Sequence, residues 1–259
     1  KDARIASDVG EMWIEAVRGA EAIGDFRPLA KSDLFELEYW SLEQAKLAGN
    51  KPKPLTGQVA LVTGGAGAIG AATAKLFAGQ GAHVVVVDLD VEKAKEAAKA
   101  AGNGSIGVGA DVTKPEDIAA AFEQAVRNYG GVDIVISNAG AAFEGGIGEL
   151  DGALLRKSFE LNFFSHQNVA QAAVHIFKQQ GTGGALLFNT SKQAVNPGPK
   201  FGAYGIPKAA TLFLSRQYAL EYGGIGVRAN AVNADRIRSG LLTGEMIDDG
   251  AKACVLAHR

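Results

Sequence analysis

The sequence predicts an α/β fold, a doubly wound parallel sheet with helices on both faces, preceded by a helical N-terminal extension. Three observations carry that expectation. Short apolar runs near 58–63, 83–88, 105–110, 132–137, 185–190 and 226–233 alternate with helix-period segments that begin near 67, 91, 115, 150 and 204. The run Val84-Val85-Val86-Val87 has no polar alternation, which is expected of parallel strands covered on both faces. Strands joined through helices cross over with a right hand, and repeating that step in both directions builds a doubly wound sheet.

Ahead of the first strand, residues 1 to about 50 are charged and helix-leaning. Val9, Trp13, Val17, Phe35, Tyr39 and Trp40 are scattered among acidic residues and do not make an independent core. Lys51-Pro52-Lys53-Pro54 reads as an extended linker, because a residue that precedes proline is pushed out of the helical region. Two parts follow, 1–55 as helical extension and linker and 56–259 as the α/β domain.

Composition narrows the function classes. The chain has 259 residues, 47% hydrophobic and 21% charged, with 34 glycines, which fits a globular protein rich in tight turns. A formal net charge of -2 without any basic block points away from nucleic acid and acidic membranes and toward a small-molecule partner. Cys254 is the single cysteine, so no internal disulfide framework or cysteine metal site is expected. No apolar run reaches the roughly 18 residues of a membrane span, and the first residues lack a signal-peptide core. A cytoplasmic protein is the expectation. The chain opens on Lys1, which reads as a fragment or a processed chain.

The turn after the first strand is Thr63-Gly64-Gly65-Ala66-Gly67-Ala68-Ile69-Gly70. Gly65, Gly67 and Gly70 satisfy the dinucleotide fingerprint Gly-x-Gly-x-x-Gly of Rossmann-like folds, in which backbone N–H groups and the helix dipole hold a pyrophosphate. Asp88 closes the second strand, where a carboxylate accepts hydrogen bonds from ribose hydroxyls. Its charge repels a 2'-phosphate, and no lysine or arginine sits in the glycine turn to compensate, so NAD is expected over NADP.

Near the far end, Tyr204 and Lys208 are four residues apart, and Ser191 stands upstream at the end of an apolar run. On a helix that spacing puts phenol and ammonium on one face, where the cation favours phenolate and suits the phenol to proton transfer. Pro207 fits if Tyr204 opens the helix, since a first turn tolerates proline.

With the glycine turn, Asp88, Asp111-Val112, Ser137-Asn138-Ala139-Gly140, Asn162, Ser191, Tyr204 and Lys208 in order, the chain resembles the classical short-chain dehydrogenase/reductase family over residues 57 to 240. The family turn Thr-Gly-x-x-x-Gly-x-Gly appears as Thr63, Gly64, Ala68 and Gly70, with alanine at the middle glycine. The family's Asn-Asn-Ala-Gly appears with Ser137 in first place. The resemblance implies NAD contacts at Gly64, Gly65, Gly67, Ala68, Ile69, Gly70, Asp88, Asn138, Ala139 and Gly140, and an adenine contact at Asp111 and Val112. It also implies a catalytic set. Ser191 would hydrogen-bond the substrate oxygen, Tyr204 would exchange its proton, Lys208 would bind the nicotinamide ribose and lower the tyrosine pKa, and Asn162 would complete a proton relay.

Two regions depart from the family pattern. Asn233-Ala234-Asp235-Arg236-Ile237-Arg238-Ser239-Gly240 stands where members usually carry Pro-Gly, and residues 241–259 supply neither the usual last helix nor a seventh strand, so a truncated C-terminus is expected. Together with the leader, the first region resembles bifunctional class II aldolase/short-chain dehydrogenases, some of which cleave rhamnulose 1-phosphate and use lactaldehyde as the dehydrogenase substrate. Residues 1–50 would be the junction left by the aldolase. His83, His166, His175 and His258 have no metal-ligand spacing and read as packed or surface residues, so no metal is expected. Phe143, Phe163, Phe164 and Phe201 are candidates to line an apolar substrate pocket, with core packing the competing reading. The leading expectation is an NAD-dependent oxidoreductase of a small hydroxy or carbonyl compound, in a parent protein that forms a homo-oligomer. A broad alcohol dehydrogenase or ketoreductase and a non-catalytic nucleotide sensor are the alternatives.

Overall fold

Six strands hydrogen-bond side by side in the order β3-β2-β1-β4-β5-β6, all parallel: β1 (Val59–Thr63), β2 (His83–Asp88), β3 (Ile106–Gly109), β4 (Ile134–Ser137), β5 (Gly184–Asn189) and β6 (Val227–Val232). The structure is a computed structural model, and it describes residues 3–38, 52–235 and 237. The predicted doubly wound sheet is present, each strand within two residues of its expected ends. His258, Cys254, Arg236, Arg238 and the expected lack of a seventh strand lie outside the described residues.

Burial on both faces explains the unalternated strands. Val84, Val85, Val86 and Val87 all have no exposed surface, and burying each contributes roughly 1.5–3 kcal/mol. Helices α3 (Ala68–Gly79) and α4 (Val91–Ala101) pack beside β2 and present small residues at Ala74, Ala78, Ala94 and Ala98. Their approach is close enough that a Cβ on Gly107 of β3 would sit 2.3 Å from the Lys95 nitrogen. The other face is a larger core. Leu61, Val85, Val87 and Val135 meet Ile118 and Phe122 of α5 (Pro115–Tyr129) and Val169, Ala173 and Phe177 of α7 (Ser165–Gln180).

Helix α6 (Gly152–Phe159) runs into α7 through a π-helical turn, Glu160–Phe164, and α8 (Gly202–Tyr222) leads to β6. Single π turns inside α-helices recur at functional sites, and this one carries Asn162. Reversal of the strand order between β1 and β4 opens a crevice at their carboxyl ends, the position at which open α/β sheets bind ligands.

Residues 1–56 and 57–259 form two compact units. In the first, α1 (Ala3–Ile23) and α2 (Lys31–Glu38) are described, and Trp13 meets Phe26 edge to face at 6.0 Å. No helix of the described residues is long and apolar enough to cross a membrane.

Candidate active site

The glycine turn sits at the crevice, and its glycines are there because side chains do not fit. A Cβ on Gly70 would stand 2.2 Å from the Gly64 carbonyl oxygen, and one on Gly65 would stand 2.6 Å from Val86 Cγ1. Gly64 adopts φ 60 and lies against Ala139 of the neighbouring strand end. Three of the turn's own amides are already engaged: Gly65 N–H with the Val87 carbonyl, Ala66 N–H with the Asp88 carboxylate and Gly67 N–H with the Gly64 carbonyl. At the start of α3 the amides of Ala68, Ile69 and Gly70 could donate to an anion, since the cap residue Gly67 offers no side chain to occupy them. A pyrophosphate fits that helix start, and Asp88 keeps acceptor capacity toward a ribose beyond its bond to Ala66 at 3.0 Å. The cradle thus suits a nicotinamide dinucleotide.

Across the crevice, Asn138 braces the sheet. Its amide nitrogen donates to the carbonyls of Thr63 and Gly64 at 3.0 and 3.2 Å, and its oxygen accepts from Asn189 at 2.8 Å. Thr63 Oγ1 accepts from the backbone of Asn138 and Ala139. Asp111 is held by the Thr113 hydroxyl and amide, which lower its pKa, and Val112 is buried with its carbonyl 3.5 Å from Asn168.

Ser191, Tyr204 and Lys208 come together below the carboxyl end of β5. Ser191 is buried and caps the short 3-10 turn Lys192–Ala194 by accepting from the Gln193 amide at 3.2 Å, which leaves its own O–H free to donate. Tyr204 is half-buried and Lys208 is 2% exposed, with Nζ 5.8 Å from the tyrosine ring centre. Burial pushes the Lys208 pKa down to about 7. Burial also raises the Tyr204 pKa, partly offset by the Ser191 hydroxyl. The direction for Tyr204 is opposite to the one expected from the Lys208 spacing. Desolvation of the phenol dominates, and the lysine charge that would counter it is itself suppressed by burial.

Pro207 also differs from expectation. Helix α8 begins at Gly202, so Pro207 lies in its second turn, where an N–H should meet the Ala203 carbonyl. The Ser158 hydroxyl fills that place, donating to the Ala203 oxygen at 2.7 Å. Asn162 extends the bridge: its amide nitrogen donates to Ser158 Oγ at 3.1 Å and to the Ala141 carbonyl at 2.9 Å, while its oxygen accepts from the Ala141 amide. The Asn162 carbonyl takes a hydrogen bond from Thr211 at 2.7 Å. Gly140 leaves room for this cluster, since a Cβ there would be 2.8 Å from Asn162 Oδ1 and 3.1 Å from Lys208 Nζ.

Of the phenylalanines, Phe163 and Phe164 contact each other at 5.1 Å along their own helix, and Phe164 is exposed. Phe143 and Phe201 are half-buried on loops tied together by the Gly145 amide bonding the Lys200 carbonyl. Asn233 to Asp235 run on beside the end of β5: Ala234 accepts from the Lys192 amide, and Asp235 pairs with the Lys192 ammonium at 3.4 Å. His166 was missed by sequence reasoning as part of the cluster. It is buried between Ser137 and Lys208, and the available signal was its position one helical turn after Asn162.

A glycine cradle at the switch point of a 3-2-1-4-5-6 sheet, with serine, tyrosine and lysine converging beside it, defines a dinucleotide-dependent oxidoreductase of the α/β class. The chain belongs to the short chain dehydrogenase family, whose model matches residues 58–247. The model of the class II aldolase second domain matches residues 1–47. The uncharacterized oxidoreductase YuxG of Bacillus subtilis (strain 168) is 39% identical over 235 residues, 88% of this chain and 34% of that protein, so the chain spans about a third of its length. The mitochondrial (-)-isopiperitenol/(-)-carveol dehydrogenase of Mentha piperita is 33% identical over 185 residues, 70% of each chain. Among solved structures, the 3-ketoacyl-(acyl-carrier-protein) reductase of Brucella melitensis complexed with NADH aligns with a TM-score of 0.70 and 30% identity, over 74% of this chain and 80% of that one.

Proposed function

We propose that this chain is an NAD-dependent dehydrogenase of a small hydroxy or carbonyl compound, lactaldehyde or a sugar derivative, with Tyr204 as its general acid and base. The observation that carries the reading is the convergence of Ser191, Tyr204 and Lys208 on the crevice that the glycine cradle also faces. Nicotinamide, when bound, supplies the hydride acceptor or donor. The chain's own residues handle the oxygen and its proton. Ser191 donates to the substrate oxygen. In the reducing direction the Tyr204 phenol, which burial keeps protonated, gives its proton to the substrate oxygen as hydride arrives, and in the oxidising direction the alcohol proton passes to the phenolate at the alkaline pH where the phenol has ionised. Lys208 holds a ribose hydroxyl beside the phenol, and Asn162 fixes the loop at Ala141 that borders the site.

NAD rather than NADP is supported by Asp88 at the end of β2, where a carboxylate would accept from ribose hydroxyls and repel a 2'-phosphate. Residues 1–55 are read as the end of an upstream aldolase domain, a reading supported by the aldolase match, and the parent protein as a bifunctional, homo-oligomeric and cytoplasmic enzyme of carbohydrate breakdown. The test is NADH formation with a panel of hydroxy compounds and aldehydes. Tyr204→Phe should lower turnover by at least about a thousandfold with NADH binding retained, within the range of a lost acid-base group plus its positioning. Wild-type turnover by that variant removes Tyr204 from the mechanism, and coenzyme binding without turnover on any substrate favours a sensor.

A further inference from the structure

We infer that His166 is a positioning residue for Lys208, and that Ser137 fixes the ring tautomer in which it acts. This rests on the proposed role of Lys208. His166 is 1% exposed, and both of its ring nitrogens are taken. Nδ1 lies 2.6 Å from Ser137 Oγ and Nε2 lies 3.1 Å from Lys208 Nζ. While Lys208 carries its proton, the ammonium has only protons to offer, so in that state Nε2 is the acceptor and the single ring proton sits on Nδ1 and is given to Ser137. The groups around the ring are Ser137 from β4, Phe188 from β5 and Lys208 from α8. No carboxylate stands among them to favour a second ring proton.

The consequence falls on the lysine. Its Nζ donates to the Asn189 carbonyl at 3.0 Å and to His166, so two of three protons are held inside the protein. The third has one direction left, away from both partners. With Asn189 alone the ammonium could turn about a single bond and would keep one acceptor in place of two. Ser137 stands where the family motif has asparagine, and its hydroxyl is the group that meets Nδ1. Position 137 and position 166 thus act as a pair, twenty-nine residues apart in sequence and 2.6 Å apart in space.

Two measurements on the full chain test this. Histidine nitrogen NMR at about pH 6 without coenzyme, where Lys208 carries its proton, should give His166 as the Nδ1–H tautomer, with the Nε2 resonance moving toward that of a free imine nitrogen in Lys208→Met. An Nε2–H tautomer in the wild type, or an unmoved Nε2 in Lys208→Met, overturns the arrangement. For function, His166→Leu should weaken NADH binding roughly tenfold, the equivalent of one charge-assisted hydrogen bond, and shift the pH profile of turnover. His166→Gln, whose amide oxygen can accept from Nζ, should restore most of both. Equal losses in the two variants mark a purely space-filling ring and overturn the inference, as does wild-type behaviour of His166→Leu in both readouts. If the wild type neither binds NADH nor turns over, the dehydrogenase reading fails, while the tautomer still decides what His166 does to Lys208.

Discussion

Lys208→Met should make the protein more stable near neutral pH and abolish the pH dependence that the lysine imposes. Burial lowers the Lys208 pKa from its ordinary 10.5 to about 7. At about 1.36 kcal/mol per unit, the native state disfavours the charged form by about 5 kcal/mol. The unfolded chain keeps this proton up to about pH 10.5 and the native state releases it near 7, so native stability rises with pH between those values and the full cost is felt below them. From pH 6.5 to 10 the wild type should gain about 4 kcal/mol from this group alone. Tyr129 and Tyr218, both raised to about 12 by burial, act in the opposite sense above pH 10, where the unfolded chain loses their protons first. Their contribution cancels in the difference between wild type and variant. Urea unfolding at several pH values, fitted with a common slope, gives that difference directly. It should shrink steadily as pH rises. A difference constant from pH 6.5 to 10 refutes the reasoning, because a lysine with an ordinary pKa would give that result.

Other positions allow sharper, smaller tests. Gly70→Ala drives a Cβ to 2.2 Å from the Gly64 carbonyl, so it should abolish detectable NADH binding and lower stability by about 1–3 kcal/mol, read by calorimetry and thermal unfolding. Ser158→Ala strands the buried Ala203 carbonyl opposite Pro207 and should cost about 1–3 kcal/mol, whereas Ser158→Ala with Pro207→Ala should recover part of that loss by restoring the helical N–H. Asp88→Ala should weaken NADH binding and narrow its advantage over NADPH; a wild-type preference for NADPH would contradict the carboxylate argument.

The sheet was legible because buried parallel strands write themselves as unbroken runs, as at Val84–Val87, and because the glycines of the first turn stand where a Cβ has no room. Tyr204 and Lys208 were legible as a spacing and Asp88 as a strand end. The electrostatics was not. Spacing alone says that a cation is near a phenol, but the sign of the Tyr204 shift depends on how much water the fold removes from both groups. Pro207 was read into a first turn because no local residue announces a surrogate donor. That donor is Ser158, 45 residues before the Ala203 whose carbonyl it satisfies. The Ser137 substitution was visible as a departure, yet its meaning required His166, which nothing in sequence ties to β4.

Asn138 and Asn189 have a consequence for how this enzyme can change. Thr63 grips Asn138, Asn138 grips Asn189, and the Asn189 carbonyl grips Lys208, so one polar tie runs under the crevice from the nucleotide turn to the lysine. The spacing on which the chemistry depends is stored in the ends of β1, β4 and β5. The loops around Phe143 and Phe201 lie outside that tie. Substitutions in those loops would leave this tie untouched, so the distance between the glycine turn and the lysine would stay set while the loop side chains changed.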